Sequence, residues 1–192
     1  MLHPTETVVS LSGDPYDARA VASARELKGY AEARPFVCLV PGSDRARALA
    51  RDWPSAAEVL ARAFWPGPLT LVVPSAADAP AAVSSAGTIA LRPAADPVSA
   101  ALLASWNRPL FSTSANPRGR TPPTDVAQAL ADLAGAPGAG AIEVALVSLA
   151  PSTPGGRPST IVDVGVSPPR LLREGAIPAG RVNAALAGLA RD

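Results

Sequence analysis

The residues best equipped for chemistry crowd the stretch from Arg108 to Thr124, Arg-Pro-Leu-Phe-Ser-Thr-Ser-Ala-Asn-Pro-Arg-Gly-Arg-Thr-Pro-Pro-Thr. Ser112, Thr113 and Ser114 offer hydroxyl donors, Asn116 both donates and accepts, and Gly119 lets backbone amides approach a ligand closely. With Arg118 and Arg120 supplying charge, such a loop is suited to phosphate oxygens. The same residues also describe a strand ending in an Asx or Ser/Thr turn before a helix. Lys28 stands apart for another reason: of 17 basic residues it is the only lysine. A compact ammonium on a flexible stem acts differently from a planar guanidinium, which makes Lys28 a candidate for phosphate contact or chemistry. Chance survival under a coding bias toward arginine is the alternative. Arg92 and Arg173 each sit near a strand end, where an arginine faces a cleft or joins a surface ion pair.

Several chemistries are disfavoured by composition. One histidine and one cysteine cannot make a zinc site, and His3 beside the N-terminus is a poor member for a Ser-His-Asp triad. Cys38 lies inside the apolar run Phe36-Val37-Cys38-Leu39-Val40, the setting of a buried structural thiol. A net charge of +1 guarantees no broad field for nucleic acid, although basic residues can cluster locally. The 192 residues fit one domain, and a hydrophobic share of 48% is enough for a core. With no apolar run of bilayer length and no secretory leader, the expectation is a soluble, cytoplasmic protein.

The elements that must position these groups follow from caps, breakers and periodicity. Pro4 to Leu11 alternates like a strand without a preceding partner, and Asp14-Pro15 opens a helix that Gly29 stops, leaving Lys28 at its C-terminus. The negative end of the helix dipole there is a purely structural reason for a cation. Pro35 to Val40 reads as a buried strand, 44–51 and 54–63 as helices, and Phe64 to Val73 as a rigid turn feeding a strand, its aromatic pair suited to core packing. Thr88 to Arg92 is a short strand, Asp96-Pro97 starts a helix to Trp106, and Pro109 to Thr113 is the strand that delivers the hydroxyl-rich loop. Thr124-Asp125 caps the next helix, with Thr124 the expected cap. Residues 135–140 and 151–158 read as mobile spacers, with a strand over Ile142 to Leu149 between them. Strands over 159–164 and 171–177 and a helix from Pro178 close the chain. Strands and helices mixed without a strict βαβ period predict an α/β or α+β fold with a mixed sheet.

Eight short segments in order resemble one family. They are Pro-Thr-Glu-Thr at 4–7, Lys-Gly at 28–29, Arg-Pro at 34–35, Trp-Pro-Gly-Pro-Leu-Thr at 65–70, Leu-Arg-Pro at 91–93, Thr-Ser-Ala-Asn at 113–116, Pro-Ser-Thr-Ile-Val-Asp at 158–163 and Arg-Glu-Gly-Ala-Ile at 173–177. Together they resemble the threonylcarbamoyl-AMP synthase family, also called YrdC-like, over nearly the whole chain. The resemblance implies a single YrdC-like domain over 1–192, a twisted open mixed sheet flanked by helices around a concave cavity. It implies synthesis of threonylcarbamoyl-AMP and pyrophosphate from L-threonine, bicarbonate and ATP, for threonylcarbamoyladenosine modification of tRNA. Lys28, Ser114 and Asn116 would be catalytic; Lys28, Arg34, Thr88, Asn116, Thr124 and Arg173 would serve ATP; Thr7, Arg92, Ser114 and Ser159 would serve threonine. Mg²⁺ would arrive with ATP rather than at a metal site of the protein, and tRNA or double-stranded RNA and a downstream threonylcarbamoyl transferase complex are the implied partners.

Three departures qualify the resemblance. Tyr30 stands where the family's Lys-x-Arg motif has arginine, Val9-Ser10 stands where Tyr-Gly is usual, and the helix and strand that normally precede Pro-Thr-Glu-Thr are missing. The alternative they imply is a non-catalytic YrdC-like relative that binds nucleotide or RNA. Carbamoyl transfer, as in related domains that sit beside other modules, is a third reading.

Overall fold

The computed structural model describes residues 1–30, 34–147 and 156–189. Nine strands form a mixed sheet: β1 (Leu2–His3), β2 (Ser10–Gly13), β3 (Val37–Val40), β4 (Leu69–Pro74), β5 (Ser84–Ser85), β6 (Thr88–Pro93), β7 (Leu110–Ser114), β8 (Thr160–Asp163) and β9 (Arg170–Arg173). Six α-helices accompany them: α1 (Ala18–Lys28), α2 (Ser43–Leu49), α3 (Ser55–Phe64), α4 (Pro97–Trp106), α5 (Val126–Leu133) and α6 (Ala179–Leu186). The spatial order is β1-β2-β7-β3-β6-β4-β8-β9, with β5 paired beside β6. Only β3 with β6 and β4 with β8 run parallel. The expected mixed α/β architecture is what the chain adopts.

Register divides the sheet into two chemically different faces. Phe111 pairs with Cys38, Cys38 with Leu91, Leu91 with Leu71 and Leu71 with Val162, an apolar row across five strands. All five are essentially buried, in one cluster with Val21, Ala24 and Leu27 of α1, Leu60 of α3, Leu133 of α5 and Val182 of α6. Burial of each large side chain contributes about 1.5–3 kcal/mol, so this face holds the main core. Gly13 pairs with Phe111, and a Cβ on Gly13 would stand 2.7 Å from the ring; only a glycine lets the ring fill that space.

The opposite face alternates out of register with the first and carries polar groups. Ser10 pairs with Ser114, Ser12 with Ser112, Leu39 with Arg92, Thr70 with Ile161 and Ile161 with Arg173. Leu103 of α4 covers part of it by packing with Leu39, Ala94 and Leu110. The uncovered remainder, including half-buried Val37 and Ile161, is concave ground for a ligand.

Local chemistry corrects several boundaries. Pro4 to Val9 is not strand, because the Thr5 hydroxyl accepts from the amides of Thr7 and Val8 and donates to the Val8 carbonyl, closing a turn. The strand begins at Ser10 and does have a preceding partner, β1. α1 starts at Ala18, not Asp14: Asp17 accepts from Arg19 N and Ala20 N, whereas Asp14 is occupied by the Tyr16 amide. Gly29 ends it in the left-handed region at φ 61°, as expected. Asp125, not Thr124, caps α5 by accepting from Gln128 N. In 142–147 there is a single bridge, Ala145 with Leu2, in place of a strand; 148–149 lie outside the described residues. The 135–140 spacer contains the start of a 3-10 turn at Ala139–Ala141, and residues 151–155 of the second spacer fall outside the description. β9 ends at Arg173 because Gly175 N and Ile177 N both turn inward to the Thr160 hydroxyl.

Candidate functional site

A cavity of about 340 Å³ opens on the polar face, lined by residues from the 4–8 turn, β2, β3, β6, β7, β8 and β9. Of the residues singled out from the sequence, Thr7, Arg34, Arg92, Ser112, Thr113, Ser114, Ser159 and Arg173 line it. Two of these cations, Arg92 and Arg173, hold different partners.

Arg92 is 6% exposed, and burial pushes its pKa down while Glu6 pulls it up. Its Nη1 donates to Thr7 Oγ1 at 3.3 Å and its Nη2 lies 3.6 Å from Glu6 Oε1. Glu6 is itself tied by Oε2 to the amides of Ala95 and Asp96, and Arg92 Nε has no partner among the described residues. A fork with an unused buried N–H beside a cavity is suited to a carboxylate or phosphate oxygen. Arg173 donates from Nε to the Ser159 carbonyl at 3.0 Å and from Nη2 to Ser159 Oγ at 3.1 Å. Thr70 Oγ1 holds the same hydroxyl at 2.8 Å, so Ser159 is fixed from two strands. Burial first, and then the positive charge of Arg92, lower the Arg173 pKa. The two guanidiniums therefore repel each other across the cavity, and an anion between them would relieve that repulsion.

Lys28, Ser114 and Asn116 converge at the edge of the same cavity. The ammonium, on a residue only 2% exposed, donates to the Ser114 carbonyl at 2.7 Å and the Asn116 carbonyl at 2.5 Å, with Ser114 Oγ at 3.4 Å and Asn116 Oδ1 at 3.3 Å. Burial lowers its pKa to about 8. Asn116 Nδ2 reaches back to the carbonyls of Pro117 and Arg120, and Gly119 at φ 81° completes that turn. The loop is thus both readings at once, an Asx-type turn and a polar rim, with Lys28 as its internal tie. Arg118 and Arg120 are exposed and do not line the cavity, so they do not supply the charge expected of them. Thr88 donates to the Ser85 carbonyl, four residues along β6 from Arg92, and Thr124 Cγ2 lies 3.3 Å from where a Cβ on Gly156 would stand; neither lines the cavity.

Tyr30 does line it: its ring stacks on Phe36 at 6.3 Å and faces Lys28 Nζ at 5.9 Å. A cation–π neighbour replaces a guanidinium at that point. Sequence reasoning gave no role to Thr5, Ser10 and Thr70, all buried hydroxyls at this face. The signal for Ser10 and Thr70 was period-2 placement of serine and threonine in apolar strands; Thr5 offered only its place in a turn. Cys38 is sealed in the core with its thiol pushed up to about 12, and no helix among the described residues is long and apolar enough to cross a membrane.

Comparison with known proteins places this geometry in context. The Sua5/YciO/YrdC family model, described as telomere recombination, matches residues 1–175. The threonylcarbamoyl-AMP synthase of Pyrococcus abyssi is 33% identical over 176 residues, covering 91% of this chain and 50% of that protein. The Halorhodospira halophila protein of the same name is 39% identical over 127 residues, 66% of each chain. A crystal structure of Pyrococcus abyssi Sua5 complexed with L-threonine superposes with a TM-score of 0.87 at 32% identity, covering 96% of this chain and 53% of that one. The chain thus spans about half the length of the Pyrococcus relative. On sequence and on fold, it belongs to the Sua5/YciO/YrdC family.

Proposed function

We propose that this chain is a threonylcarbamoyl-AMP synthase that joins L-threonine, bicarbonate and ATP, supplying the activated group for tRNA modification. The observation that carries the reading is the convergence of Arg92, Arg173, Thr7, Ser114 and Ser159 on one cavity, with Lys28 and Asn116 tied to its rim. Arg92 with Thr7 would take the threonine carboxylate, and Ser159 and Ser114 would complete that end. Arg173, Arg34 and Lys28 would face the phosphates, with Asn116 holding the loop in shape. Thr88 and Thr124 would meet the nucleotide only beyond the cavity. The whole of 1–192 acts as one domain in this reading.

The chemistry asks little of a protein base. The threonine nitrogen bonds to the bicarbonate carbon and gives up a proton, which leaves with the bicarbonate hydroxyl as water, producing a carbamate. A carbamate oxygen then bonds to the α-phosphorus as the bond to the β-phosphate oxygen breaks, and pyrophosphate departs with that electron pair. Alignment and neutralisation of charge carry the rate, which suits a site of guanidiniums and fixed hydroxyls. Such a donor set does not suit a resident divalent cation, and among the described residues no three His, Cys, Asp or Glu side chains gather to hold one. In this reading Mg²⁺ would arrive with the ATP.

Purified protein with ATP and bicarbonate should release pyrophosphate only when threonine is added. Absence of threonine-dependent release rejects the reading. Tyr30 favours one other: with a phenol ring where the resemblance expects arginine, the cleft would bind nucleotide or RNA without turnover. Nucleotide binding with no pyrophosphate release would support that. The tRNA substrate and the transferase that consumes the product follow only from the first reading.

A further inference from the structure

One continuous run of buried polar groups leaves the cavity floor and is not used by the anion-binding residues. It passes from Ser112 to Ser10, Ser12, His3 and Ser99, all at most 8% exposed. The direction of every hydrogen along it can be worked out. Ser99 Oγ lies 2.5 Å from the Pro4 carbonyl oxygen, which only accepts, so the Ser99 hydrogen is committed there. His3 Nδ1 is 2.9 Å from that Ser99 oxygen and 3.0 Å from the Pro4 oxygen. Both neighbours are acceptors, so Nδ1 carries the ring hydrogen. Burial keeps the ring neutral, its pKa lowered to about 4, and Nε2 is then a bare acceptor.

Ser12 Oγ lies 2.9 Å from Nε2 and must donate to it. With its hydrogen used, Ser12 can only accept from Ser10, 2.8 Å away. Ser10 in turn accepts from Ser112 at 2.7 Å; the Thr113 carbonyl, 3.4 Å from Ser10 Oγ, is the poorer partner. The hydrogens of Ser112, Ser10 and Ser12 all point from the cavity toward His3. Ser112, which lines the cavity, therefore shows it lone pairs and no hydrogen.

We propose that His3, through Ser12 and Ser10, fixes Ser112 as an acceptor-only hydroxyl that receives an N–H of an amine-bearing ligand. His3 is a positioning residue, and Ser112 is the specificity-determining contact. The inference rests on the synthase reading for the identity of that ligand, the amino acid whose carboxylate meets Arg92. Its consequence is chemical. A hydroxyl that accepts from the amine holds the nitrogen by a hydrogen and leaves its lone pair uncovered. A hydroxyl of reversed polarity would donate to that lone pair and mask the nucleophile.

Two measurements test it. Nitrogen NMR of the His3 ring in the full-length protein should show Nδ1 protonated and Nε2 not; the opposite tautomer overturns the relay whatever the protein catalyses. Equilibrium binding should compare L-threonine with 3-hydroxybutanoate, which lacks the amine. The wild-type protein should prefer threonine, and Ser112→Ala should weaken threonine about tenfold or more while leaving 3-hydroxybutanoate unchanged. His3→Phe should lose part of the same preference, and His3→Gln, which can present an acceptor to Ser12, should restore it. Equal weakening of both ligands, or an amine preference intact in Ser112→Ala, overturns the proposal while the synthase reading stands. Threonine-independent behaviour of the wild-type protein overturns both.

Discussion

Lys28 is gripped by acceptors on both sides of Ala115, a structural tie that the proposed function makes part of the nucleotide site. Replacing it with alanine strands the Ser114 and Asn116 carbonyls, which should cost about 1–3 kcal/mol in denaturant unfolding and abolish ATP-dependent turnover. Its pKa near 8 sets a direction for pH. The charge is present below about 8 and lost above it, so ATP affinity of the free protein should fall as pH rises from about 7 to about 9.5, read by titration calorimetry. Tyr30→Arg puts a guanidinium beside the same rim and should raise turnover if the phenol ring limits it; no gain would mean that Tyr30 has become part of a rebuilt wall. Lys28 stood out in the sequence as a lone lysine and Ser114 and Asn116 as a polar loop, but their pairing did not, because the loop that holds the lysine is 86 to 88 residues away along the chain.

At the scale of elements, the turn that follows β9 shows how a short motif encodes placement. Thr160 donates to the Ile177 carbonyl and accepts from Gly175 N and Ile177 N, folding 174–177 back on β8. A Cβ on Gly175 would lie 2.2 Å from the Pro158 carbonyl oxygen and 2.5 Å from the Ser159 carbonyl carbon. Gly175→Ala must therefore displace Ser159, and with it the Arg173 contact. Threonine and ATP affinity should both drop by about tenfold or more in binding assays, with little change at the remote Asp17 cap. Asp17→Ala is the matching control: loss of one N-cap should cost about 1 kcal/mol of unfolding free energy and leave ligand affinity alone. Helix ends were legible because caps and glycines act within a few residues, although Asp14 and Thr124 competed for roles that Asp17 and Asp125 hold.

For the whole molecule, His3 links β1 through Ser12 to β2 and through Ser99 to α4, so its titration is a global stability term. Met1 and Arg92 oppose its protonation and Asp96 favours it, yet burial dominates and sets the folded pKa at about 4 against 6.5 for an open ring. The unfolded chain binds the proton first as pH falls. Stability should hold above about 6.5 and decline by about 3 kcal/mol as pH falls to about 4, a decline that His3→Gln should flatten in denaturant titrations. By itself, the sequence determined the mixed α/β class, most strands and helices, the buried thiol and the family motifs, because alternation, caps and breakers act locally. The tertiary structure alone decided that Arg92 and Arg173 share a cavity, that Arg118 and Arg120 stand outside it, and that a histidine unfit for a triad orders hydroxyls from the core. Those outcomes depend on strand order and register, which bring together side chains far apart in the chain and are set by packing across the whole sheet.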